Sequence, residues 1–396
     1  MIKGVAITGM GIISSIGNNV NENYTSLITG SPGITNPFYL KTSHTGIPVG
    51  EIKKSNKALA KMAGLADTNS FTRAALLGLI AAREAATCAG LNAEELKSTG
   101  FISASSVGGM DMTEEYFDKF KEVQGNFNYI QAQHPGFTTG LIAKKLGTGG
   151  FVTTVSTACS SSANAIMLGA RMIKAGRLKR VIVGGTDCLT KFTLNGFNSL
   201  MILSPEECKP FDHNRNGLNL GEGAAFMVLE AEDVLKNKSV KGRVSGYGNA
   251  NDAFHQTASS GDGEGAFLAM EKALMEGGFK PGDIDYINAH GTATKNNDLS
   301  ESIAIQRLFA QVPPLSSTKA FTGHTLAAAG SIEGVFCLLS LEKDRIFPNL
   351  NFLEAMQETG MTPVTYLLEK RLKHILSNSF GFGGNCTSLI YSKDEA

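Results

Sequence analysis

Residues 152–162 read VTTVSTACSSS, a β-branched segment, a turn of small residues holding Cys159, and the start of a long apolar helical pattern. Val152–Val155 reads as a short strand. Beyond the turn, Ala163, Ile166, Met167, Ala170 and Ile173 fall on one helical stripe, and Ala165, Leu168 and Met172 widen it. A helix patterned this way is expected to be buried on most sides. Cys159 then lies between strand and helix, at the positive end of the helix dipole. That position favours thiolate over thiol, and the thiolate is the nucleophilic form.

The same pattern recurs along the chain. Val5–Gly9, Phe101–Ala104, Val181–Gly185, Asp285–Ala289, Leu315–Lys319 and Lys373–Ser377 read as buried strands. They alternate with helical patterns, which predicts an α/β fold with mostly parallel sheets. Asn69 or Ser70 is placed to cap a helix from Phe71 to about Ala89. The polar stretch Glu230–Ser239 is the expected join between an N-terminal half, residues 1–235, and a C-terminal half, residues 236–396.

Composition excludes several function classes. The 396 residues carry 36 basic and 36 acidic side chains, so nothing global points to nucleic acid or a membrane surface. No apolar run approaches ~18 residues, so no membrane span is expected. The six cysteines are scattered without a C-x-x-C pair, so neither a zinc site nor a disulfide framework is expected, and a reducing cytoplasm is the default. Met1–Gly9 enters a strand with no signal peptide. Gly9-Met10-Gly11 invites a dinucleotide-binding reading, but Ser14 stands where the third glycine of G-x-G-x-x-G belongs; the pair reads as a tight turn. Lys53, Lys54, Lys57 and Lys61 form a basic cluster, either a solvated face or a dock for an acidic partner.

His290 and His324 each sit at a strand end or loop among Gly and Thr. Together with Cys159 they suggest thiol chemistry on a thioester. The thiolate attacks the carbonyl and forms an acyl intermediate. Its oxyanion needs backbone N–H donors, and Cys159 with the Phe380–Gly384 turn can supply them. Two neutral imidazoles can hold a second carbonyl and stabilise an enolate.

At this point the chain resembles the β-ketoacyl-acyl-carrier-protein synthases, the elongating type I/II ketosynthases of the thiolase superfamily. The likeness spans Thr8–Gly11, Thr157–Ser162, Lys209–Asp212 with Gly221–Gly223, Asn288–Thr292, Ser317–Lys319, Gly323–Thr325 and Asn378–Gly384. It implies a thiolase-like, duplicated, five-layered αβαβα core and a homodimer. It implies that Cys159 takes an acyl chain, and that His290 and His324 promote decarboxylation of malonyl-carrier protein. Lys319 and Glu333 match supporting charges around the second histidine; Asp298 and Glu301 match acidic residues near the site. Phe382 matches the residue that completes the oxyanion hole and gates the acyl pocket, with Phe380 beside it, and Val107 matches a tunnel-lining position. The resemblance implies no metal or organic cofactor. The partners are acyl carrier protein and malonyl and acyl thioesters, with Lys53, Lys54, Lys57 and Lys209 as candidate docking residues.

The chain departs from the common pattern at Asn385-Cys386, where Thr-Asn is usual. It also departs at Asn216 and Leu218, where Asp and Phe are common, and at Lys295, where Pro is usual. None of these removes a reacting group. They leave a specialised polyketide or polyene pathway open beside fatty-acid elongation. A thiolase would use a second reactive cysteine, for which Cys386 is the candidate. A non-catalytic chain-length subunit would lack the nucleophile that Cys159 provides.

Overall fold

The computed structural model describes residues 4–66, 70–117, 128–235 and 238–394. Among them the strands are β1 (Val5–Ser14), β2 (Ile34–Thr35), β3 (Val49–Gly50), β4 (Gly100–Ala104), β5 (Val152–Val155), β6 (Arg180–Asp187), β7 (Gly223–Glu230), β8 (Gly242–Asn251), β9 (Tyr286–Asn288), β10 (Leu315–Ser316), β11 (Arg345–Ile346), β12 (Leu368–Glu369), β13 (His374–Phe380) and β14 (Asn385–Ser392). Ten form one sheet in the order β10-β9-β13-β14-β8-β1-β7-β6-β4-β5.

That sheet is two five-stranded units built to one plan. From its outer edge, each runs third, second, fourth, fifth and first strand in chain order. The outer three strands of each unit pair in parallel, and the inner three pair antiparallel. Val5–Ile7 of β1 meet Gly242–Val244 of β8 to join the units. The expectation of mostly parallel sheets is therefore corrected. Alternating apolar patterns give the order of elements but not their sense. A tight connection such as the Gly381–Gly384 turn between β13 and β14 forces an antiparallel pair.

Helices cover both outer faces and fill the space between. Arg73–Cys88 lies against β1, β6 and β7, and Glu264–Gly277 against β8 and β14. Ser161–Lys174 and Ala329–Lys343 pack on each other and on strands of both units. The result is the five-layered αβαβα arrangement. Residues 329–341 are all buried, as a helix enclosed on every side must be. Gly330 allows this crossing, since a Cβ there would sit 2.9 Å from both the Cβ and the N of Ala163.

Two local expectations are corrected. Gly9 and Gly11 are no turn; they lie inside the ten-residue strand β1. A Cβ at either would meet a carbonyl oxygen of the Arg73–Cys88 helix, Ala85 or Ala81, at 2.2 Å, so glycine lets that helix lie on the strand. The helix is capped by the Thr72 side chain, which accepts from the N–H of Ala75. Asn69 lies outside the described residues, as do residues 236–237 at the expected 235/236 join.

Candidate active site

Cys159 follows β5 through Thr157 and Ala158. Ala158 takes a left-handed φ of 51°, a strained conformation for a residue with a Cβ, and turns the chain sharply into the Ser161–Lys174 helix. Ser161 Oγ closes the turn, donating to the Ala158 carbonyl at 2.5 Å and accepting from the Thr157 N–H at 2.8 Å. Cys159 is buried. Burial pushes its thiol up to about 11, while the Phe382 N–H and the Lys319 charge pull it down. Burial therefore works against the thiolate expected from the helix dipole, and Cys159 precedes the cap residue Ser160 and so lies outside the helix proper.

The histidines come from the second unit. His290 lies just past β9 and His324 just past Lys319–Thr322, both fully buried. Their rings are 5.5 Å apart, edge to face, and Phe380 lies 5.7 Å from His290. Burial, followed by the Lys319 charge, pushes both imidazoles well below 6.5, so both are neutral at pH 7. Lys319 Nζ lies 3.3 Å from His290 Nδ1 and pairs with Glu333. An ammonium can only donate, so Nδ1 accepts and the His290 proton resides on Nε2. Neither ring nitrogen of His324 has a partner within the described chain. Its backbone is pinned, with N donating to the Asn219 carbonyl at 2.7 Å and O accepting from Gly221 at 2.9 Å.

The two acidic residues hold backbone rather than face substrate. Glu301 accepts from the N–H groups of His290 and Gly291, both at 2.8 Å, and from Asn378 Nδ2 at 3.0 Å. Burial pushes it up to about 7. Asp298 accepts from the Phe211 N–H at 2.7 Å and the Ala293 N–H at 3.1 Å, both donors on residues with positive φ.

Two cavities meet at Cys159. One, about 360 Å³, is lined by Cys159, His290, His324, Phe380, Phe382 and a polar rim that includes Asn216 and Lys295. The other, also about 360 Å³, is mostly apolar and is lined by Val107, Cys159, Phe192, Phe197, Leu326 and Phe382. Phe382 stacks on Phe197 at 5.7 Å and 19°, and both rings line both cavities. The pair forms the partition between the two.

The structure therefore brings Cys159, His290, His324, Phe380 and Phe382 to one cavity and Val107 to the next. Lys319, Glu333, Asp298 and Glu301 stand behind them. It does not bring the docking lysines there. Lys53 pairs with Glu51 at 3.0 Å, Lys209 pairs with Glu206 at 3.2 Å, and none of Lys53, Lys54, Lys57 or Lys209 lines either cavity. Lys209 instead borders a polar pocket that shares Asn216 and Lys295 with the first cavity. Cys386 lines the first cavity, but burial pushes its thiol up to about 12 and the Asp252 and Glu301 charges act the same way. Sequence reasoning missed Phe197 and the polar cluster of Asn164, Asn249 and Asn385. Of these, only Asn385 carried a signal, as a departure from the common Thr.

Family models for the N-terminal and C-terminal domains of beta-ketoacyl synthase match residues 3–234 and 241–353. A 3-oxoacyl-[acyl-carrier-protein] synthase 2 of Staphylococcus aureus is 31% identical over 413 residues, covering 100% of this chain and 99% of its own length. A Schizosaccharomyces pombe mitochondrial protein, given the same synthase activity only provisionally, is 33% identical over 431 residues and covers 99% of both chains. Among solved structures, the ishigamide ketosynthase/chain length factor aligns with a TM-score of 0.92 at 27% identity, covering 99% of both chains. The ketosynthase ApeO with its chain length factor ApeC, from Xenorhabdus doucetiae, aligns at 0.88 and 31%, covering 99% of this chain and 98% of that one. This chain, matched from end to end, belongs to the beta-ketoacyl synthase family.

Proposed function

We propose that the chain catalyses decarboxylative condensation of an acyl group, held on Cys159, with malonyl-acyl-carrier protein, giving a 3-oxoacyl-acyl-carrier protein two carbons longer. One observation carries this reading: a single cavity is lined by the thiol, both neutral imidazoles and the Phe382 turn. Cys159 Sγ attacks the acyl thioester, and the N–H groups of Cys159 and Phe382 hold the oxyanion. The carrier thiol leaves with the proton that Cys159 gives up. Malonyl thioester then enters between the histidines. His290 Nε2–H and an N–H of His324 bind its thioester oxygen; loss of carbon dioxide leaves an enolate, whose carbon attacks the acyl-cysteine and releases Cys159. Phe382 and Phe197 move aside to admit the acyl chain to the apolar cavity beside Val107.

Acyl carrier protein is the carrier partner in this reading, a second ketosynthase-fold chain the structural partner, and the cytoplasm the compartment. No helix among the described residues is long and apolar enough to cross a membrane. The halves 1–235 and 236–396 contribute the nucleophile and the histidines respectively. Incubation with acyl-carrier and malonyl-carrier protein tests the reading. It requires one carbon dioxide per 3-oxoacyl product; acyl exchange without carbon dioxide would instead indicate a thiolase, and binding with neither acyl exchange nor carbon dioxide an acyl-binding subunit.

A further inference from the structure

We propose that Asn385 is a positioning residue, whose side-chain oxygen locks the Cys159 turn against the Phe382 turn and so sets the geometry of acyl transfer. The proposal rests on the ketosynthase reading above. Asn385 Oδ1 accepts three short hydrogen bonds, from Ser160 Oγ at 2.8 Å, Asn164 Nδ2 at 2.8 Å and Asn249 Nδ2 at 2.9 Å, and a longer one from Thr387 Oγ1 at 3.5 Å. Ser160 adjoins the nucleophile, Asn164 lies in the first turn of its helix, and Asn249 belongs to β8 of the other unit.

The cluster is closed on itself. Asn164 Nδ2 also reaches Thr157 Oγ1 at 2.9 Å, and Asn164 Oδ1 accepts from Thr387 Oγ1 at 2.9 Å. On the other side, the Asn385 carbonyl accepts from the Gly381 N–H at 2.9 Å, next to Phe382. The two turns touch, since a Cβ on Gly381 would lie 2.9 Å from the Thr157 carbonyl oxygen and 3.2 Å from Cys159 N. The Phe382 N–H that faces the Cys159 sulfur is therefore held by a short covalent and hydrogen-bonded loop that closes at one amide oxygen. The three donors fix how the amide is turned. Removing the acceptor takes the shared partner from all three. It leaves Ser160 Oγ on the Thr157 carbonyl at 2.8 Å, Asn164 Nδ2 on Thr157 Oγ1 and Asn249 Nδ2 on Thr387 Oγ1 at 2.8 Å. The Cys159 turn then loses its tie to the Phe382 turn while each donor stays satisfied. Among the described residues, the His290–His324–Lys319 side shares no hydrogen bond with this cluster, so the two half-reactions should separate.

The test compares Asn385→Leu and Asn385→Asp in the full chain. Acylation of Cys159 by acyl-carrier protein and its alkylation by iodoacetamide are followed by mass spectrometry. Malonyl-carrier decarboxylation is followed in a Cys159→Gln background. Asn385→Leu should slow acylation about 100-fold, the scale of a displaced oxyanion donor, and change decarboxylation by less than about threefold. Asn385→Asp keeps an acceptor oxygen. It should recover acylation to within about tenfold of the parent and move the alkylation profile to higher pH, because a nearby carboxylate opposes the thiolate. Wild-type acylation by Asn385→Leu overturns the proposal, as does equal loss of both half-reactions with Asn385→Asp no better. If Asn385→Leu does not fold, Asn385→Asp decides alone by the same two readouts. A parent protein that alkylates at Cys159 with this Asn385 dependence, yet accepts no acyl group, would retain the positioning role and remove the ketosynthase reading.

Discussion

The Cys159 turn and the His324 turn occupy equivalent places in the two units. Each follows the third strand of its unit, β5 or β10, and each leads into one of the two helices packed between the two five-stranded units. Both reactive groups are buried and both lose their charged form by burial, but the consequences are opposite. Desolvation raises the Cys159 thiol, which must shed a proton to react. It lowers the His324 imidazole, which must stay neutral to donate an N–H. One scaffold position, repeated, thus holds a thiol whose charged form burial opposes and an imidazole whose neutral form burial favours. Help for the thiolate is local, from the Phe382 N–H and the Lys319 charge.

The sharpest way to break this division of labour is to remove one side. His290→Ala or His324→Ala, each in the Cys159→Gln background, should cut malonyl-carrier decarboxylation by about 10²- to 10⁴-fold, measured as released carbon dioxide. Retained decarboxylation would take the enolate away from the imidazoles. Lys319 sits between the sides. Lys319→Met strands the buried Glu333 charge and should lower stability by about 3–5 kcal/mol in denaturant melts. Combining it with Glu333→Met should restore much of that stability but leave decarboxylation impaired, because His290 loses the donor that fixes its proton on Nε2.

Titration separates the sides more gently. Alkylation of Cys159 by iodoacetamide should rise about tenfold per pH unit above neutrality and level off near pH 11. A plateau near pH 7 would mean that the helix end, after all, dominates. For stability the signs also differ. The folded histidines bind protons less readily than the unfolded ones, so their contribution is present above pH 6.5 and falls as pH drops below it. The Cys159 contribution is present below pH 9 and falls as pH rises from 9 toward 11. Melts across acid and alkaline pH check both arms. The smallest effect expected is at the rim. Lys295→Glu should raise KM for malonyl-carrier protein by a few fold, about 1 kcal/mol or less, and the effect should shrink with salt. An unchanged KM would leave Lys295 without a part in malonyl-carrier binding.

Contiguity decided what the sequence made legible. Strand, cysteine and buried helix stand in one run, so the Cys159 turn was readable as a candidate site, and so were the two Gly-flanked histidines. Strand sense was not, because apolar alternation is blind to which neighbour a strand joins; β14 pairs with β8 across the chain. Gly9 and Gly11 looked like a turn because their partner, the helix carrying Ala81 and Ala85, lies far away in sequence. Asn385 sits 225 residues from Ser160 and 136 from Asn249, so no local pattern could expose the cluster. The desolvation of Cys159 was hidden for the same reason. The helix dipole is local and visible, whereas the burial that opposes it depends on residues distant in the sequence.

Intact-protein and peptide mass spectrometry after incubation with acyl-carrier protein tests the central claim most directly. The account predicts one acyl group per chain, on the peptide holding Cys159 and absent in Cys159→Ala, that disappears when malonyl-carrier protein is added and reappears in a product two carbons longer. An acyl group that persists in Cys159→Ala, or one mapped to Ser160 or Cys386, would contradict it.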